Sequence, residues 1–136
     1  MNAASPSAEQ LLAKAREVAD RAYAPYSNFS VGAAVLTGAG MVFTGCNVEN
    51  ASYGLAICAE RNAIAGMVAA SAADRTVSTV AVFSPNAAPC LPCGACRQVL
   101  REFGCQEVIV EEEGSVRIYR FGELLPHSFG PEALDR

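Results

Sequence analysis

Apolar residues along this chain switch between helical and strand spacing. Leu11, Leu12, Ala15, Val18, Ala19, Ala22 and Tyr23 recur every three or four residues, with Lys14, Arg16, Glu17, Asp20 and Arg21 between them. An apolar stripe on a polar cylinder predicts an amphipathic helix. Pro25 should stop it, because proline disfavours helical geometry in the residue before it, and Tyr26-Ser27-Asn28-Phe29 then reads as a loop. Residues 30–36 and 41–48 are β-type runs on either side of Thr37-Gly38-Ala39-Gly40, which predicts a hairpin. The polar stretch 47–54 leaves the sheet as a loop of the kind that often carries binding groups. An alanine-rich helix follows over 57–70, a short apolar strand over 77–84, and a second amphipathic helix over 93–103, with Gly104 placed to cap its end. Residues 107–111 and 116–121 give two more strands around Glu112-Glu113-Gly114-Ser115, and 122–136 a short helix and tail.

The order is α-β-β-α-β-α-β-β. A strand, helix and strand in series from 77 to 111 implies a right-handed parallel crossover beside the antiparallel hairpin. The expected fold class is therefore α/β, a three-layer α/β/α arrangement around a mixed five-stranded sheet. No repeat, low-complexity tract or linker divides residues 1–136, and 136 residues with 51% hydrophobic content suffice for one domain with a full core.

Charge and cysteine content narrow the classes. Net charge is −4, and ten Lys and Arg are scattered along the chain, so the field that phosphate backbones require is missing and nucleic acid is not the expected partner. The first residues show no basic region followed by an apolar run, and no stretch approaches eighteen apolar residues, so a cytoplasmic protein without membrane association is expected. Six cysteines could staple a small secreted scaffold, but the core-forming patterns favour a reducing compartment. Mean hydropathy is +0.22, and the alanine-rich 59–73 segment suits close helix packing. Both give weak support to self-association, beside the plainer explanation of buried core.

The chemistry concentrates in Cys58-Ala59-Glu60 and Pro92-Cys93-Gly94-Ala95-Cys96. Three thiolates can hold one zinc ion with its fourth position open, and a carboxylate two residues from the first ligand can move protons there. Both segments fall at expected helix starts, where free N–H groups and the dipole stabilise thiolates. Three thiolates leave a divalent ion with net charge −1, which opposes ionising a bound water. Arg61 or Arg97, each directly after one of these groups, could offset it through a hydrogen bond to sulfur. Other arrangements remain open: Cys90 with Cys93 as the metal pair, a Cys93–Cys96 redox dithiol, or a structural zinc completed by Cys90 or His127. Cys46 and Cys105 read as small core residues, and 111–113 as a solvated acidic turn.

These motifs resemble the signature of the cytidine deaminases, specifically the short homotetrameric zinc-dependent type. The similarity extends over Tyr23-Ala24-Pro25-Tyr26-Ser27-Asn28-Phe29, Gly45-Cys46-Asn47-Val48-Glu49-Asn50-Ala51-Ser52-Tyr53 and Leu124-Leu125-Pro126-His127-Ser128-Phe129-Gly130. It implies a cytidine-deaminase-like fold, one Zn2+ per subunit on Cys58, Cys93 and Cys96, and hydrolysis at ring position 4 of cytidine or deoxycytidine. Glu60 would take the water proton, deliver it to the ring nitrogen and then protonate the departing amine, giving uridine or deoxyuridine and ammonia in pyrimidine salvage. The resemblance also implies that Asn47 and Glu49 bind ribose hydroxyls, that Phe29 packs on the pyrimidine, that Ala59 contacts substrate, and that Ala51, Tyr53 and Phe129 reach it from neighbouring subunits of a homotetramer. Taken alone, Asn47 and Glu49 would read as loop caps and Phe29 as core.

Overall fold

The computed structural model describes residues 5–70 and 74–134. The end of the alanine-rich 59–73 segment, the first four residues and the last two of the expected tail lie outside them.

Helix α1 spans Ala8–Ala19 and starts at a capping box: Ser7 Oγ accepts the Gln10 N–H at 3.1 Å, while Gln10 Oε1 accepts the Ser7 N–H at 2.8 Å. It ends before the apolar pattern does. Tyr23, expected within the helix, instead donates its N–H to Asn47 O and accepts from the Glu49 N–H, at 3.0 and 2.8 Å. A long-range backbone pairing has overridden the local period there.

Strands β1 (Gly32–Thr37) and β2 (Val42–Cys46) form the expected hairpin, with Gly40 at φ +88° in its turn. They are followed by α2 (Ala59–Ala70), β3 (Val77–Phe83), α3 (Gly94–Glu102), β4 (Glu107–Glu112), β5 (Ser115–Arg120) and the short α4 (Phe121–Leu124). The sheet runs β2-β1-β3-β4-β5, with β3 and β4 parallel and the other neighbours antiparallel, so it is mixed as expected. Helix α3 ends as anticipated, with Gly104 left-handed at φ +75° and the Cys105 N–H returning to Leu100 O.

All six residues of β1 are buried because both faces of this interior strand are covered. Leu11, Leu12 and Ala15 of α1 pack on Ala34, Leu36, Ala81 and Ile109. On the other face α2 and α3 supply Ala59, Ala63, Ile64, Met67 and Leu100 against Ala33, Val35, Val80, Val82, Val108 and Val110. Each Leu, Ile, Val or Met side chain so buried contributes about 1.5–3 kcal/mol. Two glycines set the layer spacing. A Cβ at Gly45 would lie 2.6 Å from Ala59 O and 2.5 Å from Ala63 N, so β2 and the first turns of α2 touch backbone to backbone, and Gly32 meets α1 at Ala15 O in the same way.

Register then decides where a site can form. Gly32 pairs with both Cys46 and Phe83. The segment before β1, the segment after β2 and the segment after β3 therefore leave the sheet at one edge. The crevice beyond strand ends at such a point is where open α/β sheets bind ligands.

Candidate active site

At that edge the tips of α2 and α3 meet. Ile57 was expected to open α2, but it pairs with Val48 through two backbone hydrogen bonds of 3.0 Å, so Cys58 directly precedes the helix and Glu60 stands in its first turn. Cys93 is the N-cap of α3, and Cys96 lies buried in its first turn. The Sγ atoms of Cys58, Cys93 and Cys96 all lie within 4.8 Å of one another, with Cys58 and Cys93 at 3.9 Å. Tetrahedral sulfur ligands at about 2.3 Å from a zinc ion sit about 3.8 Å apart, so this donor set fits zinc with a fourth position left over. Cys90 and His127 stand outside the group, and among the described residues no other cluster of this kind occurs.

The electrostatics follow from crowding sulfur at two helix ends. Hydrogen bonding from Cys96 holds the Cys58 thiol down at about 5, against the opposing effect of burial and with further help from Arg61 and Cys93. Arg61, three residues on and hence on the same side of the helix, places Nη2 3.5 Å from Cys58 Sγ. Its Nε is buried without an acceptor among the described residues, so the guanidinium keeps a further donor at this site. The expectation that Arg97 could also reach a sulfur is corrected. Successive helical side chains diverge by about 100°, and Arg97 donates from Nε to Pro92 O and from Nη1 to Leu124 O, both at 2.7 Å. It ties down the loop entering α3 and the segment after β5.

Glu60 is 4% exposed. Burial pushes its carboxyl above the usual range, and the neighbouring Cys58 charge pushes the same way. It lines a cavity of ≈ 310 Å³ together with Cys58, Cys93, Ala59, Phe29, Asn47 and Glu49. Cys90 lines it too, its thiol pushed up to about 11 by burial first and by the anionic neighbours second. Cys105 is buried, as expected of a core cysteine, whereas Cys46 is half-buried.

The far end of the cavity is made of loops. Asn47 Oδ1 accepts from the Val31 N–H and Nδ2 donates to Phe29 O, both at 2.8 Å. Glu49 Oε1 accepts the Tyr26 and Ser27 N–H groups at 2.9 and 3.1 Å, and Oε2 accepts the Ser27 hydroxyl. These bonds hold the Glu49 carboxyl below its ordinary value, the Ser27 hydroxyl contributing most. A second cavity of ≈ 380 Å³ adjoins, lined by Tyr26, Ser27, Glu49, Asn50, Tyr53 and Ala56, and the Tyr26 and Tyr53 rings stand 5.9 Å apart across it. Ala51 is exposed, Tyr53 is 75% exposed and Phe129 61%, and neither Ala51 nor Phe129 lines either cavity of its own chain. Ser27 and Cys90 are cavity residues that sequence reasoning did not assign to substrate. Ser27 carries only the weak signal of lying in the loop before Phe29.

A three-thiolate cluster and a buried carboxylate at paired helix tips on a mixed sheet fit the kind of site that metal-assisted hydrolysis uses. The model of the cytidine and deoxycytidylate deaminase zinc-binding region matches residues 5–112. A cytidine deaminase of Mycobacterium tuberculosis is 43% identical over 126 residues, covering 93% of this chain and 92% of that protein. One from Sporosarcina psychrophila is 40% identical over 93% of each. The crystal structure of cytidine deaminase from Burkholderia pseudomallei superposes with TM-score 0.82 at 46% identity, covering 91% of this chain and all of that one. The chain belongs to the cytidine and deoxycytidylate deaminase family and is a hydrolytic enzyme of it. No helix among the described residues is long and apolar enough to cross a membrane.

Proposed function

We propose that this chain hydrolyses the exocyclic amine of cytidine and deoxycytidine, releasing ammonia and leaving uridine or deoxyuridine, as a cytoplasmic enzyme of pyrimidine salvage with one zinc ion per chain. The observation that carries this reading is Glu60, buried two residues from Cys58 and facing the cavity into which the three sulfurs also open. Cys58, Cys93 and Cys96 hold the ion, and Arg61 draws charge from Cys58. Zinc there supplies Lewis-acid activation of a water. Glu60 would take one proton of that water and deliver it to the ring nitrogen, then take the remaining proton of the added hydroxyl and pass it to the departing amine; a buried carboxyl with raised proton affinity suits a group that must both accept and return a proton. Phe29 packs on the pyrimidine, Ala59 forms part of the wall, and Asn47 with Glu49 meets the sugar hydroxyls.

Nucleosides are favoured over nucleotides because no Lys or Arg among the described residues lines either cavity. A homotetramer with shared sites is supported by Tyr53 and Ile57, exposed apolar side chains that line the two cavities, by Tyr23, Val48 and Leu55, exposed on the same or adjoining loop segments, and by Phe129, exposed away from its own cavity. Such patches mark association surfaces; Ala51, Tyr53 and Phe129 would complete a neighbour's site. The test follows ultraviolet absorbance and ammonia release with zinc-loaded protein on cytidine, deoxycytidine and cytidine monophosphate. The two nucleosides should be consumed and the monophosphate should not; absence of ammonia from both nucleosides would overturn the reading.

A further inference from the structure

We propose that Ser27 is a positioning residue for substrate, setting the Glu49 carboxylate and the Phe29 backbone as one unit. The proposal rests on the reading of Glu49 as a sugar contact. Its basis is how one hydroxyl is shared. Ser27 Oγ donates its single proton to Glu49 Oε2, and its lone pairs then accept the Phe29 N–H at 3.0 Å. An ordinary serine turn would need only the second of these bonds. Here the Tyr26 and Ser27 N–H groups also converge on Glu49 Oε1, and Asn28 takes the left-handed conformation, φ 57°, directly after Ser27.

The other side of the loop is fixed by Asn47, which bonds Phe29 O and the Val31 N–H. Phe29 is thus held through its N–H by Ser27 and through its carbonyl by Asn47. A carboxylate offers roughly four acceptor positions. Three donors from residues 26 and 27 occupy three of them, leaving one for an incoming hydroxyl and an orientation in which Glu49 cannot swing. Ser27 and Glu49 line both cavities, so the clamp is the partition between them. Without the serine hydroxyl, Glu49 keeps only its two bonds at Oε1 and Oε2 loses its donor, so the carboxylate can rotate toward the adjoining space and binding of the sugar must supply the lost order. Because Ser27 touches neither the sulfurs nor Glu60, the penalty falls on substrate binding.

The experiment measures kcat and KM for cytidine with zinc-loaded wild-type protein, Ser27→Ala, Ser27→Thr, Glu49→Ala and the Ser27→Ala/Glu49→Ala double variant. Ser27→Ala should raise KM about tenfold with kcat within about twofold, the loss expected for a charge-assisted hydrogen bond. Ser27→Thr, which keeps the hydroxyl, should recover KM to within about threefold. In the Glu49→Ala background the serine change should add less than about twofold, because the two side chains act through one bond. Wild-type KM in Ser27→Ala, or full additivity in the double variant, beside a raised KM in Glu49→Ala overturns the positioning role alone. Wild-type KM in Glu49→Ala overturns the sugar-contact reading and the proposal with it. If Ser27→Ala does not yield zinc-loaded protein, Ser27→Cys, close in size but a weak donor, is read by the same criteria.

Discussion

The two ends of the cavity are built by different means. At the sulfur end, the three clustered cysteines and Glu60 come from the tips of two helices whose seats are fixed by close packing, Gly45 against Ala59 and Ala63 for α2 and the buried Leu100 for α3. At the Glu49 end the groups sit on loops, joined by side-chain hydrogen bonds and surrounded by exposed aromatic and aliphatic side chains. Chemistry that tolerates little displacement is placed on rigid elements. Recognition, which in this reading is completed by a neighbouring chain, is left to segments that become fully packed only on assembly.

That contrast can be broken at four points. Cys96→Ala should strike hardest: metal content falls from about one zinc per chain to near zero and turnover below about one thousandth of wild type, measured by atomic absorption and ammonia release. Retained stoichiometric zinc with normal turnover would remove Cys96 from the site. Glu60→Gln should keep the zinc and lose roughly 10²- to 10⁴-fold in kcat, the range of a general acid–base; near-normal turnover in the loaded variant would sink its role.

Phe129→Ala sharpens the comparison from the other end, with KM raised roughly tenfold, the loss expected of a buried aromatic contact, and zinc content unchanged. Mixing it with Glu60→Gln tests the sharing of sites directly. A site combining Glu60 of one chain with Phe129 of another is intact, so hybrids should contain a population of sites with wild-type kcat/KM, which neither parent shows; hybrids no better than the parents' average would confine each site to one chain. The smallest functional effect is expected from Gly45→Ala, which forces β2 off α2. Thermal melting should show about 1–3 kcal/mol of destabilisation from overpacking, with kcat altered less than in Glu60→Gln. An unchanged melting temperature would show that the close approach can relax.

Much of this was legible in the residues. The mixed sheet followed from the spacing of apolar runs and the parallel crossover from β3 through α3 to β4. The Cys58, Cys93 and Cys96 cluster was legible because metal ligation demands particular side chains at short, fixed separations, and Glu60 was legible because a carboxylate two residues from a ligand can move protons beside the metal. The errors fell where distant backbone decides. Tyr23 fits a helical stripe but pairs with Asn47 and Glu49, and Ile57 fits the start of a helix but pairs with Val48. Arg97 was misplaced because adjacency in sequence says nothing about which side of α3 a residue takes. The Ser27 clamp left no mark, since serine before a turn is common and its partner lies 22 residues away.

The paired backbone bonds between Val48 and Ile57 also have an engineering consequence. They staple shut the eight-residue stretch between them, so its length and composition are insulated from Cys58, the very next residue. Lengthening the stretch between these two anchor points, with Glu49, Ala51 and Tyr53 kept, would alter which substituents the mouth admits while zinc stoichiometry stays at its native level. Selectivity can thus be retuned here by insertion, without reopening the problem of binding the metal.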